Sequence, residues 1–177
     1  MESLIVSNEI LLHRLEACYA KVIFEAIENN RGWLSRWLSL VEIKNTEAFI
    51  SSVIAKRDES GNEVYTIWYK GDFAGIIGFH NMDKVNEKTE IGYWLVEKMQ
   101  GKGVITFSAK ALIRMAFENM MINRVTIKCD IGNSASENVA VRLGFRFEGI
   151  EREGERYGEH FFDLKVFSLL RTDENTK

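Results

Sequence analysis

The clearest pattern in the chain is an apolar stripe that predicts a helix over residues 104–121. Apolar side chains recur there at steps of three and four, which places them on one helix face: Ile105, Ala109, Leu112, Ala116 and Met120. The same spacing predicts four more helices, at 22–27, 33–38, 46–59 and 134–143. In the second of these, Trp33 and Trp37 lie on one face. Gly144 follows the last helix and is expected to end it.

Seven short apolar segments predict strands, and a turn at residues 71–72 joins two of them into a hairpin. These segments are 10–15, 63–70, 73–80, 88–96, 124–130, 145–151 and 161–170. The connection between the last two carries Glu151, Glu153 and Glu155 and is predicted as a charged loop. Strands alternate with helices in the centre and form hairpins at the flanks, so the pattern predicts one mixed α/β domain over residues 1–177.

Composition narrows the class of protein without naming a function. The 177 residues are 46% hydrophobic and 28% charged, which suits one soluble domain that buries about 70% of its unfolded surface. A balance of 23 Lys and Arg against 26 Asp and Glu argues against a nucleic-acid binder, because such proteins neutralise phosphates with excess cations. Residues 1–4 lack a secretion signal, and the longest apolar runs are too short to cross a membrane. We therefore expect a cytoplasmic protein without a nucleic-acid or membrane partner.

The residue types that most often bind metals are few and scattered. Cys18 and Cys129 are far apart and have no partner at a metal-ligand spacing. We therefore expect no bound metal, and both cysteines are interpreted as small buried side chains in a reducing compartment. His13, His80 and His160 are isolated and are interpreted as structural or surface residues. His160 is also kept as a candidate site residue because it adjoins the last strand.

A glycine-rich turn before the long helix is the first candidate for a binding site. Its sequence is Gln100-Gly101-Lys102-Gly103. Glycines let the backbone approach a ligand, and the first N–H groups of a helix have no partner within it, so such a turn suits phosphate or diphosphate. A Walker loop would need glycine in place of Val96, and a dinucleotide fingerprint would need it in place of Thr106. A plain turn that caps the helix remains the alternative.

A second candidate is Asn133-Ser134-Ala135-Ser136, which opens the helix predicted at 134–143. A polar side chain at a helix start accepts hydrogen bonds from free N–H groups, so Asn133 or Ser134 also has a structural explanation as an N-cap. The segment ends in Leu143-Gly144-Phe145. From the residues alone, capping and ligand binding both stay open.

These two segments, in this order and about 30 residues apart, resemble the GNAT superfamily of acetyl-CoA-dependent N-acetyltransferases. Trp33-Leu34, the run Glu90-Ile91-Gly92-Tyr93-Trp94-Leu95, and Gly149 with Asp163 are similar to its ribosomal-protein N-terminal acetyltransferase branch, the RimJ/RimL type. The resemblance covers nearly the whole chain. It implies a GNAT-like α/β fold with a central mixed, mostly antiparallel sheet of about seven strands flanked by helices. The fourth and fifth strands, 88–96 and 124–130, would splay apart.

The resemblance implies that acetyl-CoA lies against the glycine-rich turn and the splayed strand. Residues of the turn and helix start would hold the diphosphate, mainly through backbone N–H groups: Gln100, Gly101, Lys102, Gly103, Val104, Ile105 and Thr106. The pantetheine arm would contact the strand and the short helix at Trp94, Leu95, Val96, Asn133 and Ser136. Backbone N–H groups near Leu95 and Val96 would face the oxyanion. The family's turn usually ends in glycine or alanine, whereas this chain has Ile105.

For the chemical step, the resemblance implies Ser136 as general acid and Glu155 as general base, with Glu90 as the next candidate for the base. Many relatives carry a tyrosine acid in the short helix, and this chain has Ala140 at that place. The alternative for Glu155 is a solvated charge in a loop.

The acceptor is defined less closely than the donor. Trp33 and Trp37 would form part of the acceptor wall, although aromatic residues at this spacing also pack into cores. The resemblance implies direct transfer to the N-terminal α-amine of a protein, with a ribosomal protein as leading acceptor, by a homodimeric enzyme. A small amine such as a polyamine, an amino sugar or an antibiotic is the nearest alternative. A non-catalytic acyl-CoA-binding module is another.

Overall fold

The computed structural model of the protein describes residues 3–38, 48, 50–55 and 61–174, which form an eight-stranded sheet with helices on both faces. The strands are β1 Ser3–Ile5, β2 Ile10–Arg14, β3 Val64–Tyr69, β4 Asp72–Asp83, β5 Lys88–Leu95, β6 Arg124–Asp130, β7 Arg146–Tyr157 and β8 His160–Leu170. In the order β1-β2-β3-β4-β5-β6-β8-β7, all neighbours are antiparallel except β5 and β6. This mixed sheet confirms the predicted fold class.

The helices are α1 Ala20–Asn29, α2 Arg31–Leu34, α3 Val104–Asn119, α4 Ser134–Arg142 and α5 Arg171–Glu174, with 3₁₀ turns at Ala17–Tyr19 and Glu97–Met99. The helices predicted at 104–121 and 134–143 are confirmed as α3 and α4, and Gly144 follows α4 with φ +82°. Of the helix predicted at 46–59, residues 48 and 50–55 are helical and the rest lies outside the described residues. The helix predicted at 33–38 is wrong beyond Leu34, where turns follow.

The core consists of two clusters, one on each face of the sheet. On the face covered by α3, called here the α3 face, Ile91 and Leu95 of β5 belong to the larger cluster. On the opposite face, called the α1 face, Ile76 of β4 packs in a cluster with Ile23 of α1 and Leu34 of α2. Because side chains alternate along a strand, odd-numbered residues of β5 point to the α3 face and even-numbered ones to the α1 face.

β5 and β6 are paired only where they begin, so a gap opens in the middle of the sheet. The pairs are Lys88↔Arg124, Thr89↔Val125 and Glu90↔Thr126. Beyond Glu90, the strand pairings of the described residues join β5 to β4 alone. The Val96 N–H bonds to the Ala74 carbonyl at 2.9 Å, so by alternation the backbone groups of Tyr93 and Leu95 point into the gap. The predicted splay of these two strands is confirmed.

The structure corrects two strand predictions. An eighth strand, β1, adds to the predicted seven, and its three residues are too few to show an alternating pattern. β7 runs on to Tyr157, so the segment predicted as a charged loop is a strand in which Glu155 pairs with Phe162. Residues 150–156 are all exposed on this strand at the sheet edge, so no hydrophobic alternation marks it.

Candidate active site

A cavity of about 1260 Å³ occupies the gap beside β5 and reaches both faces of the sheet. One end is lined by the turn before α3, the end of β5 and the start of α4: Leu95, Gln100, Gly101, Gly103, Val104, Ile105, Thr106, Asn133 and Ser136. The other end is lined by side chains of the α1 face: Trp33, Trp37, His80, Glu90, Trp94, Glu155 and Tyr157. The fold thus brings together nearly all of the site residues expected from the sequence.

The turn before α3 presents free backbone N–H groups to the cavity. Gly101 and Gly103 have φ values of +72° and +74°, a region that glycine adopts without strain. Gly103 is the N-cap of α3, and the first helical hydrogen bond runs from the Phe107 N–H to the Gly103 carbonyl at 3.0 Å. The N–H groups of the three residues between them therefore have no partner within the helix. Together with the helix dipole they form a site for an anion.

The structure adds detail for three residues of this region, and only the Val96 N–H differs from the expectation. The Ile105 side chain is only 6% exposed and belongs to the core, so its size leaves the backbone accessible. Lys102 is exposed outside the cavity lining, with its Nζ 3.8 Å from Met99 Sδ. Val96 is buried outside the lining, and its N–H is already bonded to Ala74 on the β4 side. Val96 therefore has no N–H to offer an oxyanion, which corrects that expectation.

A pair of hydroxyl groups links β5 to α4 on the α3 face. The Tyr93 hydroxyl lies 2.8 Å from Ser136 Oγ, and the Ser136 N–H donates to Asn133 Oδ1 at 3.1 Å. Asn133 is thus the N-cap that the sequence left open. Burial raises the pKa of Tyr93 to about 12, so the phenol keeps its proton at neutral pH. Sequence reasoning missed Tyr93 as a site residue, although the alternation in β5 already places it opposite Glu90 and Trp94.

The cysteines differ in environment. Cys129 at the end of β6 is buried in the cavity wall, and burial raises the pKa of its thiol. Cys18 is exposed, so the interpretation of both cysteines as buried is wrong for Cys18. Within the described part of the chain, no group of three or more His, Cys, Asp or Glu residues is arranged to hold a metal ion. No helix among the described residues has the length and apolar character needed to span a membrane.

Glu90 lies at the α1-face end of the cavity in a group of polar side chains. Its Oε2 lies 3.8 Å from Lys128 Nζ and accepts a hydrogen bond from the Asn81 amide at 3.3 Å. Lys128 Nζ also lies 2.8 Å from Glu151 Oε2, and this contact raises the pKa of Lys128. His80 is paired with Glu90 across β4 and β5 and lines the same cavity, a role that its isolation in the sequence did not indicate.

Glu155 and Trp37 are held at the same end by Tyr157. The Tyr157 hydroxyl donates to Glu155 Oε2 at 2.7 Å and lies 3.2 Å from the Trp37 carbonyl oxygen. Burial and the bond to Glu155 raise the pKa of Tyr157, so this phenol also stays protonated. Trp37 in addition covers Gly132, where a Cβ would lie 3.9 Å from the indole. The segment after α2 is thereby fixed to β7 and to the turn before α4.

Comparison with known proteins decides the family. A family model described as the acetyltransferase (GNAT) domain matches residues 10–146. The chain belongs to the GNAT acetyltransferase family. This membership confirms the resemblance noted in the sequence and identifies the protein as an acyltransferase, an N-acetyltransferase that uses acetyl-CoA.

Similar GNAT proteins match over almost their whole length. A Bacillus subtilis (strain 168) protein named "Putative ribosomal N-acetyltransferase YdaF" is 35% identical over 174 residues, 95% of this chain and 94% of its own. The ribosomal-protein-serine acetyltransferase of Escherichia coli (strain K12) is 28% identical over 173 residues, 96% of this chain and 97% of its own. A coenzyme A complex of RimL, a ribosomal L7/L12 alpha-N-protein acetyltransferase, superposes with a TM-score of 0.89 at 25% identity and covers 96% and 98% of the chains.

Two independent features of the cavity in this GNAT chain suit acetyl-CoA. The free N–H groups at the start of α3 suit an anionic diphosphate. The unpaired backbone groups of Tyr93 and Leu95 suit an extended arm that carries amide groups, because such an arm can bond to them as a strand would. The two features lie at one end of the cavity, apart from the side chains of its α1-face end.

Proposed function

We propose that the protein acetylates the N-terminal α-amine of a ribosomal protein by direct transfer from acetyl-CoA in a ternary complex. The observation that carries this proposal is the cavity, which joins the free N–H groups of α3 to the acidic pocket on the α1 face. Two substrates can therefore meet from opposite faces of the sheet. A protein acceptor is supported by the names of the B. subtilis and E. coli relatives, which both refer to ribosomal proteins.

In this proposal the donor is held mainly by backbone groups. The N–H groups between Gly101 and Thr106 bind the diphosphate, and Trp94, Leu95 and Asn133 line the path of the pantetheine arm. The Leu95 N–H points into the gap and is the donor available to the thioester oxyanion, since the Val96 N–H is occupied. Donors fixed before the reaction stabilise developing charge without reorganisation.

Ser136 is the proposed general acid for the departing thiolate. Its Oγ lies beside the Tyr93 hydroxyl, so a proton given to the thiolate can be replaced from the phenol. The raised pKa of Tyr93 keeps that phenol protonated at neutral pH. The position that is tyrosine in many relatives is Ala140 here, fully buried, and contributes no proton.

Glu155 is the proposed general base, and Glu90 is the second candidate. An N-terminal α-amine has a pKa of about 7.7–8.0, whereas a lysine at about 10.4 would need roughly 3.4 kcal/mol more for deprotonation. A carboxylate that also attracts the ammonium group is therefore better matched to an N-terminus than to a lysine side chain. Trp33 and Trp37 form the apolar wall against which the first residues of the acceptor pack.

The experiment that tests this function is incubation of the purified protein with isotopically labelled acetyl-CoA and salt-washed ribosomes. We expect the acetyl mass at the N-terminus of one or a few ribosomal proteins, read by peptide mass spectrometry. Labelling of polyamines, amino sugars or antibiotics in place of protein termini would favour the small-amine alternative. Calorimetric binding of acetyl-CoA without thiol release on any acceptor would favour a non-catalytic binding module.

We also propose a cytoplasmic location and a homodimer. A reducing compartment fits the free thiols of Cys18 and Cys129, and ribosomal proteins are made there. Light scattering of the purified chain at micromolar concentration tests the dimer, and fractionation of the producing cells tests the location. A monomer mass or a secreted protein would contradict these proposals.

A further inference from the structure

His80 occupies a place on the cavity wall that only a glycine neighbour permits. It lies on β4 opposite Glu90, and its ring covers Gly92 of β5. A Cβ added to Gly92 would lie 2.5 Å from His80 Nε2, which is closer than any real contact allows. The ring is therefore held against β5, next to Tyr93, where the strand turns from its pairing with β6 to the gap.

The ring nitrogens of His80 are available to a ligand. Among the described residues neither nitrogen has a hydrogen-bond partner, and the side chain is exposed to the water of the cavity. His13 differs, because its Nδ1 lies 2.9 Å from Ser3 Oγ. His160 differs too, because it lies outside the cavity lining. Of the three histidines, His80 alone thus combines a free ring with a place in the site.

Charged groups from several strands surround this ring. Glu90 of β5 and Glu155 of β7 attract a proton to it, and Lys128 of β6 faces Glu90. Asp130 and Arg156 line the same cavity. Although the ring meets the water of the cavity, the protein atoms packed around it outweigh the two carboxylates and lower the pKa of His80, so the imidazole is mostly neutral at pH 7. A neutral imidazole offers one nitrogen lone pair to a proton.

This inference rests on the function proposed above but replaces Glu155 as the group that removes the proton: we infer that His80 is the first acceptor of the proton from the incoming ammonium group. One N–H bond of the ammonium breaks, an N–H bond forms on the imidazole, and the electron pair left on the amine forms the C–N bond while the carbonyl π electrons move to oxygen. The C–S bond then breaks, the thiolate takes the Ser136 proton, and the second proton of the attached amine restores the Ser136–Tyr93 hydroxyl pair. The imidazolium so formed lies beside Glu90 and Glu155, which stabilise it until water removes the proton. In this scheme Glu155 attracts and orients the ammonium group before the proton is transferred.

Matching of acidities favours this assignment. With ordinary values, the pKa of an α-amine exceeds that of a carboxyl by about 3.5 and that of an imidazole by only about 1.4. Proton transfer to the ring is therefore far less uphill. The lowered pKa of His80 makes its difference from the pKa of the amine larger. The positive charge of a bound ammonium group is offset by Glu90 and Glu155, which line the same cavity.

The test compares His80→Gln with His160→Gln, a control at an exposed site outside the cavity. The rate of thiol release from acetyl-CoA is measured with a synthetic acceptor peptide whose first residue is serine. This rate gives kcat/KM for the peptide at each pH. We expect the H80Q loss to be about 100-fold at pH 7, a value typical of a missing base, and under about 3-fold near pH 9.5, where the amine is already neutral. H160Q should follow the wild type throughout.

A loss of equal size at both pH values, or no loss at pH 7, would overturn the assignment. Acetyl-CoA affinity and thermal melting of H80Q, with His80→Asn as a second variant, show whether the fold is retained.

An NMR titration of the wild-type ring protons, with the His80 signal identified by its absence in H80Q, should give a pKa below the ordinary value of about 6.5. A ring that is mostly protonated at pH 7 would contradict the inference even without an active assay. If the wild type releases no thiol with any amine, the proposed function fails instead.

Discussion

The two ends of the cavity are built in different ways, and the difference explains which amino-acid substitutions each end can tolerate. The donor end, on the α3 face, rests on backbone groups that lie within one short stretch, residues 100–106, together with the start of α4. The end proposed to bind the acceptor, on the α1 face and called here the acceptor end, consists of side chains from α2, β4, β5 and β7 and the turns after α2. A site of backbone groups tolerates many side chains but few backbone changes, whereas a site of side chains can be altered one residue at a time.

The largest effect should come from Gly103→Val at the donor end. A β-branched residue is strained at the φ of +74°, and its Cβ would lie 3.1 Å from the Phe107 ring. The N–H groups that bind the diphosphate would shift, so we expect acetyl-CoA to bind about 100-fold more weakly, equivalent to about 2.7 kcal/mol. Isothermal titration calorimetry measures this affinity.

Gly71→Val is the matched control for this substitution. Gly71 has a φ of +85° in the β3–β4 turn, outside the cavity lining and with open space around its Cβ position. It should lower stability through the same backbone strain and leave acetyl-CoA affinity within about 3-fold. Equal losses of affinity in the two variants would mean that strain, and not a local site, explains the Gly103 result.

The next effect concerns Ser136, which lies at the donor end beside Tyr93. Ser136→Ala removes the hydroxyl beside Tyr93, and we expect kcat with a serine-initiated peptide to fall about 30-fold. The loss should be partial because a thiolate is a fair leaving group. Tyr93→Phe should give a smaller loss, and the double variant should resemble Ser136→Ala alone if the two groups act in one chain. Ser134→Ala, exposed on the same helix and outside the lining, is the control. An undiminished kcat would remove Ser136 from the mechanism.

A smaller effect should separate the two ends most clearly. Trp37→Ala removes the indole of the acceptor wall but keeps the carbonyl that lies beside Tyr157. We expect the KM for the peptide to rise about 10-fold, near 1.4 kcal/mol, with the affinity for acetyl-CoA unchanged. Phe24→Ala, on the exposed surface of α1, should change neither quantity. A parallel loss of acetyl-CoA affinity would show that the two ends are coupled.

The smallest effect lies outside both ends, where β6 begins. Arg124 Nη1 donates to Glu148 Oε1 at 2.7 Å, and bonds from Arg124 and Ser168 lower the pKa of Glu148 to about 2. Since the unfolded value is about 4.3, the stabilisation is full above pH 5 and is lost as the pH falls through 4 towards 2. Glu148→Gln should therefore lower the unfolding free energy by under about 1 kcal/mol at pH 7, with no difference near pH 2.

Urea unfolding at pH 7 and pH 2.5 measures this dependence. Glu118→Gln, which removes a looser pair with Arg114 at 4.0 Å on α3, is a control and should cost only about 0.3 kcal/mol at pH 7. Neither change should alter acetyl-CoA binding or turnover. A change in either quantity would show that the start of β6 controls the width of the gap.

The sequence allowed the donor end to be predicted far better than the acceptor end, and the reason is physical. Residues 100–106 carry their function in local backbone geometry, which the two glycines and the helix start already indicate. Tyr93 and His80 reach the cavity, where their proposed roles lie, only through the pairing of β5 with β4 and its separation from β6. Such contacts between distant segments leave no local pattern, so both residues were missed.

The errors in the fold have similar causes. β7 was predicted to stop at residue 151 because its exposed continuation to Tyr157 has no apolar alternation. The Val96 N–H was predicted to face an oxyanion, but it bonds to the Ala74 carbonyl of β4. Alternate N–H groups of a strand face opposite neighbours, and the sequence does not specify which residues of β5 face β4. α3 was predicted correctly because its apolar stripe has the period of a helix over sixteen residues.

The short parallel pairing of β5 has one further consequence. Proteins usually protect unpaired strand edges at the rim of a sheet, where another chain could add to them. This sheet keeps such an edge in its interior, between β5 and β6, and not at its rim. An extended molecule that carries amide groups can complete the ladder there as a strand would.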